Sequence, residues 1–144
     1  MEKREMILKF DVTPMGAPRM TRRDIWYTDP NHPDPRKRQR PVVGRYKDFK
    51  SMIRNYALLY KFKMPESNYQ LVFYLPMPES WNERKKDEMN FKPHKAKPDK
   101  DNLEKAFLDA VCEDDAYIWD GRVTKFWGRV GSILLIWEEE KVAV

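Results

Sequence analysis

Four stretches of the chain carry strand patterns and three carry helical ones. Ile7, Leu8, Phe10 and Val12 predict a strand over Met6–Thr13 that Pro14 ends. Tyr69–Leu75 is a continuous β-prone run closed by Pro76 and Pro78, so it should be buried on at least one face. Arg122–Trp127 alternates moderately, Gly128 to Gly131 supplies a turn, and Ser132–Trp137 is strongly β-prone. These last two segments predict an antiparallel hairpin that closes the sheet.

The helical stretches are distinguished by their period. Phe49, Met52, Ile53, Tyr56, Leu59 and Tyr60 form one stripe and predict a helix over Tyr46–Phe62. Ser80, with Glu83 three residues on, predicts a capped, short basic helix running to Met89. Leu103, Ala106, Phe107, Ala110 and Val111 predict a central helix from Asp101 to about Cys112, with Asp101 and Lys105 together on its opposite face. Between the first strand and first helix, residues 14–41 carry Gly16, Pro18, Pro30, Pro33 and Pro35 among arginines. They read as a long, irregular, partly mobile loop with a substrate-binding role. The expected fold is α+β, a small mixed sheet of about four strands with three main helices. At 144 residues it forms one domain, 1–144.

Charge sharpens this picture. The net charge is +5, which favours a polyanionic partner, and its distribution is uneven. Arg19, Arg22, Arg23, Arg36, Lys37 and Arg38 cluster in the Pro/Arg-rich loop, and Lys85, Lys86, Lys97 and Lys100 form a second basic run. From Ala106 to Gly121 there is no Lys or Arg, while Asp109, Glu113, Asp114, Asp115 and Asp120 accumulate. A basic periphery around an acidic centre suits a nuclease, because the periphery attracts phosphate and the centre needs a cation to approach it. Cys112 is the only cysteine, which excludes an intramolecular disulfide or a Cys-based zinc cluster. No apolar run approaches membrane-spanning length and the N-terminus lacks a signal-peptide core, so a soluble intracellular protein is expected. His32 and His94 sit in Pro-flanked loops, and no Ser-His-Asp set or Gly-rich phosphate loop is visible.

The candidate chemistry lies at Lys97-Pro98-Asp99-Lys100-Asp101-Asn102-Leu103-Glu104-Lys105. Two carboxylates two residues apart, before an amphipathic helix, suit Mg²⁺, which takes oxygen ligands and is completed by water and substrate phosphate. The same residues also read as helix-start chemistry: Asp101 and Glu104 have the spacing of a capping box.

This motif, the Asp109-Ala110 step and an Asp-x-x-Val at Asp120–Val123 together resemble the RusA family of Holliday-junction resolvases of bacteria and their phages; Pro14 to Arg19 also suits that family. The resemblance is strongest from about Met77 to Trp127. It implies an endodeoxyribonuclease that resolves four-way junctions by paired nicks in recombination and repair. It implies Mg²⁺ as cofactor, with Mn²⁺ as substitute, and metal-binding carboxylates at Asp99, Asp101 and a third aspartate after the helix. The essential lysine falls on Lys105. A non-catalytic DNA-binding protein and a nuclease for other branched nucleic acids are the competing readings.

The third aspartate is where the chain departs from the family pattern, an Asp-Asp pair followed by two residues and Val or Ile. Asp114-Asp115 preserves the pair, whereas Asp120 keeps only its second member. A helix from Asp101 to Cys112 rises roughly 17 Å, which leaves Asp115 near its far end. Residues 113–119 span up to about 23 Å when extended, enough to return Asp120 towards Asp99 and Asp101, so Asp120 is favoured over Asp115. Asp109 is expected to support the site from behind. The ten Arg and Lys residues of the two basic runs are expected to contact DNA. A symmetric homodimer in the cytoplasm of a bacterial or phage-infected cell completes the expectation, since a four-way junction presents two equivalent strands to cut.

Overall fold

The computed structural model describes residues 2–140; Met1 and residues 141–144 of the expected domain lie outside it. The elements follow the order β1 (Lys3–Phe10), α1 (Arg22–Trp26), α2 (Pro41–Tyr60), β2 (Tyr69–Pro76), α3 (Glu83–Met89), α4 (Lys100–Val111), β3 (Gly121–Gly128) and β4 (Ser132–Glu140), with a 3₁₀ turn at Pro35–Lys37. This is the α+β architecture expected, with one mixed four-stranded sheet and three helices of seven residues or more.

The sheet order is β1-β4-β2-β3. β4 pairs antiparallel with both β1 and β2, while β3 pairs parallel with β2, in register Tyr69↔Gly121 through Pro76↔Gly128. The expected β3–β4 hairpin is therefore corrected: the two strands flank β2 on opposite sides. Composition explains the arrangement. Ser132–Trp137 is apolar on both faces, as a central strand requires, whereas β3 carries Arg122 and Lys125 and takes the edge. The connection from β2 to the parallel β3 contains α3 and α4.

The long helices pack on one face of the sheet. Phe10, fully buried, meets Tyr56, Tyr60, Phe62 and Phe107 edge-on, with ring centroids 5.2 to 6.1 Å apart. Ile53, Leu71, Phe73, Leu103, Ile133 and Leu135 complete the centre of this core. α2 starts five residues earlier than its stripe suggests, because Pro41 occupies the first turn, where a missing N–H costs nothing. It ends at Lys61, whose φ of 54° places it in the left-handed region. α3 is capped by Asn82, whose side chain accepts from Lys85 N at 2.8 Å, in place of Ser80.

The Pro/Arg-rich segment is more ordered than its composition suggests. Asp24 on α1 accepts from Thr21 N at 2.8 Å and from Arg40 Nε and a terminal guanidinium nitrogen at 2.9 and 2.7 Å. Arg40 also donates to the Arg19 carbonyl at 2.8 Å, and Arg38 to the His32 carbonyl at 2.7 Å. The Arg40 guanidinium holds the Asp24 carboxyl well below the usual carboxylate range.

Candidate functional site: the acidic start of α4

α4 is fastened through Leu103, Ala106, Phe107 and Ala110, all buried, so Asp101 and Lys105 are left facing solvent. Asp99 is the N-cap residue and Asp101 lies in the first turn. Neither closes a capping box: the Asp99 side chain makes no cap bond, and Asp101 accepts only from the adjacent Asn102 N, at 3.0 Å. Asp99 instead pairs with Lys97 at 2.9 Å, and this ammonium lowers the Asp99 pKa and raises that of Lys97. Both carboxylates remain exposed and are not consumed by fold contacts.

Two contacts hold the helix start in place. Lys125, on the helix-covered face of β3, donates through Nζ to the Ala96 and Pro98 carbonyls at 2.6 and 2.8 Å, immediately ahead of Asp99. From the other side, Ala17 N donates to the Asn102 carbonyl at 3.3 Å, and a Cβ added to Gly16 would lie 3.0 Å from that of Pro98.

β3 runs back along α4, so its start lies further down the helix. Asp120 shares a groove with Glu104, Leu108 and Asp115, and accepts from Asn68 N at 3.1 Å. Tyr69 donates its hydroxyl to Glu104 at 2.7 Å, and burial pushes the Tyr69 pKa up. Its ring passes directly over Gly121, where an added Cβ would stand 2.1 Å from Cζ; only glycine admits that approach. Asp120 thus returns to the level of Glu104 and Leu108, one to two turns beyond Asp101.

Among the described residues, no three His, Cys, Asp or Glu side chains converge closely enough to enclose a metal ion. Asp99 and Asp101 stand at the helix start, while Asp120 lies in the groove beside Glu104 and Leu108. The donor chemistry nevertheless fits Mg²⁺, which uses one or two carboxylates beside water and substrate phosphate. Asp99 and Asp101, both exposed at the helix start, would supply such a pair.

The remaining predicted residues divide by what they touch. Asp109 accepts from Tyr46 OH at 2.7 Å and ties α4 to α2. Of the loop cations, Arg23 donates to the Arg36 carbonyl, Arg36 pairs with Asp34 at 3.3 Å, and Arg38 is held by His32. Lys85 lies 4.2 Å from the centroid of the Trp81 ring, and Lys86 is 4.0 Å from Glu83. Arg19, Arg22, Lys37, Lys100 and Lys105 have no side-chain partner among the described residues. Sequence reasoning missed Glu104 and Lys125. The first was read only as a cap, and the second becomes visible only once β3 is known to lie beside α4.

No helix among the described residues is long and apolar enough to cross a membrane. The family model described as Endodeoxyribonuclease RusA matches residues 11–135. No curated protein matches the chain.

Proposed function

The chain belongs to the RusA endodeoxyribonuclease family, and we propose that it is a Mg²⁺-dependent endonuclease that resolves four-way DNA junctions by paired nicks in recombination and repair. The observation that carries this reading is the start of α4, where Asp99, Asp101 and Lys105 are exposed on a helix whose apolar face is buried, with a basic loop packed against it.

In this reading Asp99 and Asp101 bind the ion, and Asp120 contributes from the adjoining groove, with Asp115 as the alternative third carboxylate. When bound there, Mg²⁺ would supply an activated water and stabilise charge on the scissile phosphate. Mn²⁺ substitutes for it. Lys105, one turn beyond Asp101, offers its ammonium to the phosphate oxygens as charge develops there. Lys97 offsets the Asp99 charge through their ion pair, and would have to yield that carboxylate to a bound cation. Arg19, Arg22, Lys37 and Lys100, free of side-chain partners among the described residues, bind the DNA backbone, and the paired arginines of the loop shape the surface that presents them.

Incubation with a synthetic four-way junction, a linear duplex and a flap, each with Mg²⁺ or with EDTA, tests the proposal. Symmetric nicks in the junction alone, dependent on Mg²⁺, are expected. Junction binding without cleavage in any divalent ion would identify a DNA-binding protein, and equal cutting of the flap would identify a broader nuclease.

A further inference from the structure

Outside the acidic helix, the most exposed apolar side chains of the Pro/Arg-rich segment stand together on and beside α1. Ile25 is 75% exposed, Trp26 70% and Met20 49%. Several large apolar side chains exposed within one short segment mark a contact surface more readily than scattered single residues do. Its platform is rigid: Asp24, between Arg23 and Ile25, is buried under the Arg40 fork, and Arg40 also grips the Arg19 carbonyl. The side chains on either side of Asp24 are thereby turned outward on a fixed turn of helix.

Charge identifies what covers them. The one carboxylate on α1 is neutralised by Arg40, while the Arg19 and Arg22 guanidiniums have no partner among the described residues. An apolar, aromatic tip flanked by uncommitted arginines is complementary to a nucleic acid whose bases are accessible beside its phosphates. The chain leading into α1 packs at Gly16 and Ala17 against Pro98 and Asn102, so the segment that carries the tip is anchored at the acidic helix start.

We propose that Trp26 is a base-stacking contact, with Ile25 wedged beside it and Arg22 on the adjacent phosphate, and that its ligand is an unstacked nucleobase at the branch point of a DNA junction. This inference rests on the branched-DNA reading above. It adds a site of selectivity on the loop, distinct from the carboxylates: stacking favours DNA that already exposes a base face, because an intact duplex must first be unstacked.

Equilibrium binding of the full chain, measured by fluorescence anisotropy in EDTA so that nothing is cut, tests it. Wild type, Trp26→Ala, Trp26→Phe and Arg22→Ala are compared on a four-way junction and on a linear duplex of equal length. Trp26→Ala is expected to bind the junction about ten-fold more weakly while its duplex affinity changes by less than about two-fold. Trp26→Phe should retain most of the junction affinity, and Arg22→Ala should weaken both substrates and reduce the salt slope by about one unit. Circular dichroism checks that each variant is folded. Unchanged junction affinity in folded Trp26→Ala overturns the inference and leaves the nuclease reading standing. A change in molar mass without a change in DNA affinity also overturns it, by assigning Trp26 to a protein contact. Absence of any junction preference in the wild type defeats the branched-DNA reading, and this inference with it.

Discussion

Lys125 on β3 donates to the Pro98 carbonyl at 2.8 Å, one residue ahead of the carboxylate Asp99. The edge strand thereby governs the position of the helix that carries the acidic residues. Lys125→Met removes this bond and the one to Ala96, and should cost about 1–3 kcal/mol in urea unfolding. Cleavage should fall further than DNA affinity, because the carboxylates lose their fixed support while the phosphate contacts remain. Parallel losses in single-turnover rate and in affinity would make Lys125 a DNA contact.

Asp99→Asn, Asp101→Asn and Asp120→Asn should each abolish Mg²⁺-dependent junction cleavage and leave binding intact or tighter. Each removes a ligand charge and also a charge that repels phosphate. Asp115→Asn should be much milder. Full activity in Asp120→Asn together with loss in Asp115→Asn would transfer the third-ligand role to Asp115, which faces the same groove.

Lys105→Met should reduce turnover by one to two orders of magnitude, about 1.4–2.8 kcal/mol of transition-state stabilisation, with little effect on affinity. A defect confined to binding would reduce Lys105 to an ordinary phosphate contact.

Much of this molecule was legible from residue patterns. The stripe Leu103, Ala106, Phe107 and Ala110 located α4 and the face it buries, and each strand lies within a few residues of its apolar run. Strand partners were less accessible. A short Gly-bounded turn between β3 and β4 is the local signature of a hairpin, and only the competition for the central position places β4 on the other side of β2. Trp26 and Lys125 illustrate the same limit: the exposure of one and the contacts of the other depend on segments far away in sequence. Asp24 and Arg40 are 16 residues apart, and nothing in the local pattern pairs them.

The Asp24–Arg40 pair predicts an acid-dependent loss of stability. The folded-state pKa of Asp24 is depressed, so its contribution is complete above the ordinary aspartate value of about 3.9 and disappears as pH falls well below it. The stability difference between wild type and Asp24→Asn should therefore be constant from pH 7 to about 4 and shrink at lower pH. Urea unfolding across this range checks it; a difference that persists undiminished at pH 2 would remove ionisation of Asp24 as the cause.

A symmetric homodimer follows from the proposed substrate, since two nicks related by a two-fold axis need two equivalent sites. Light scattering at micromolar concentration should give twice the 17.4 kDa chain mass. A chain that remains monomeric on junction DNA, yet makes paired nicks in one encounter, would remove the need for a partner.

The strand order also sets a timetable for synthesis. β1 is made before the other described strands but, among the described residues, pairs only with β4, in a register that runs from Phe10↔Ile133 to Lys3↔Glu140. Until residue 132 has emerged from the ribosome, β1 has no neighbour and one edge of β2 stays open. The nascent chain must therefore carry β1 unpaired until β4 has been made, and closes its sheet in a long-range step of the kind that folds slowly.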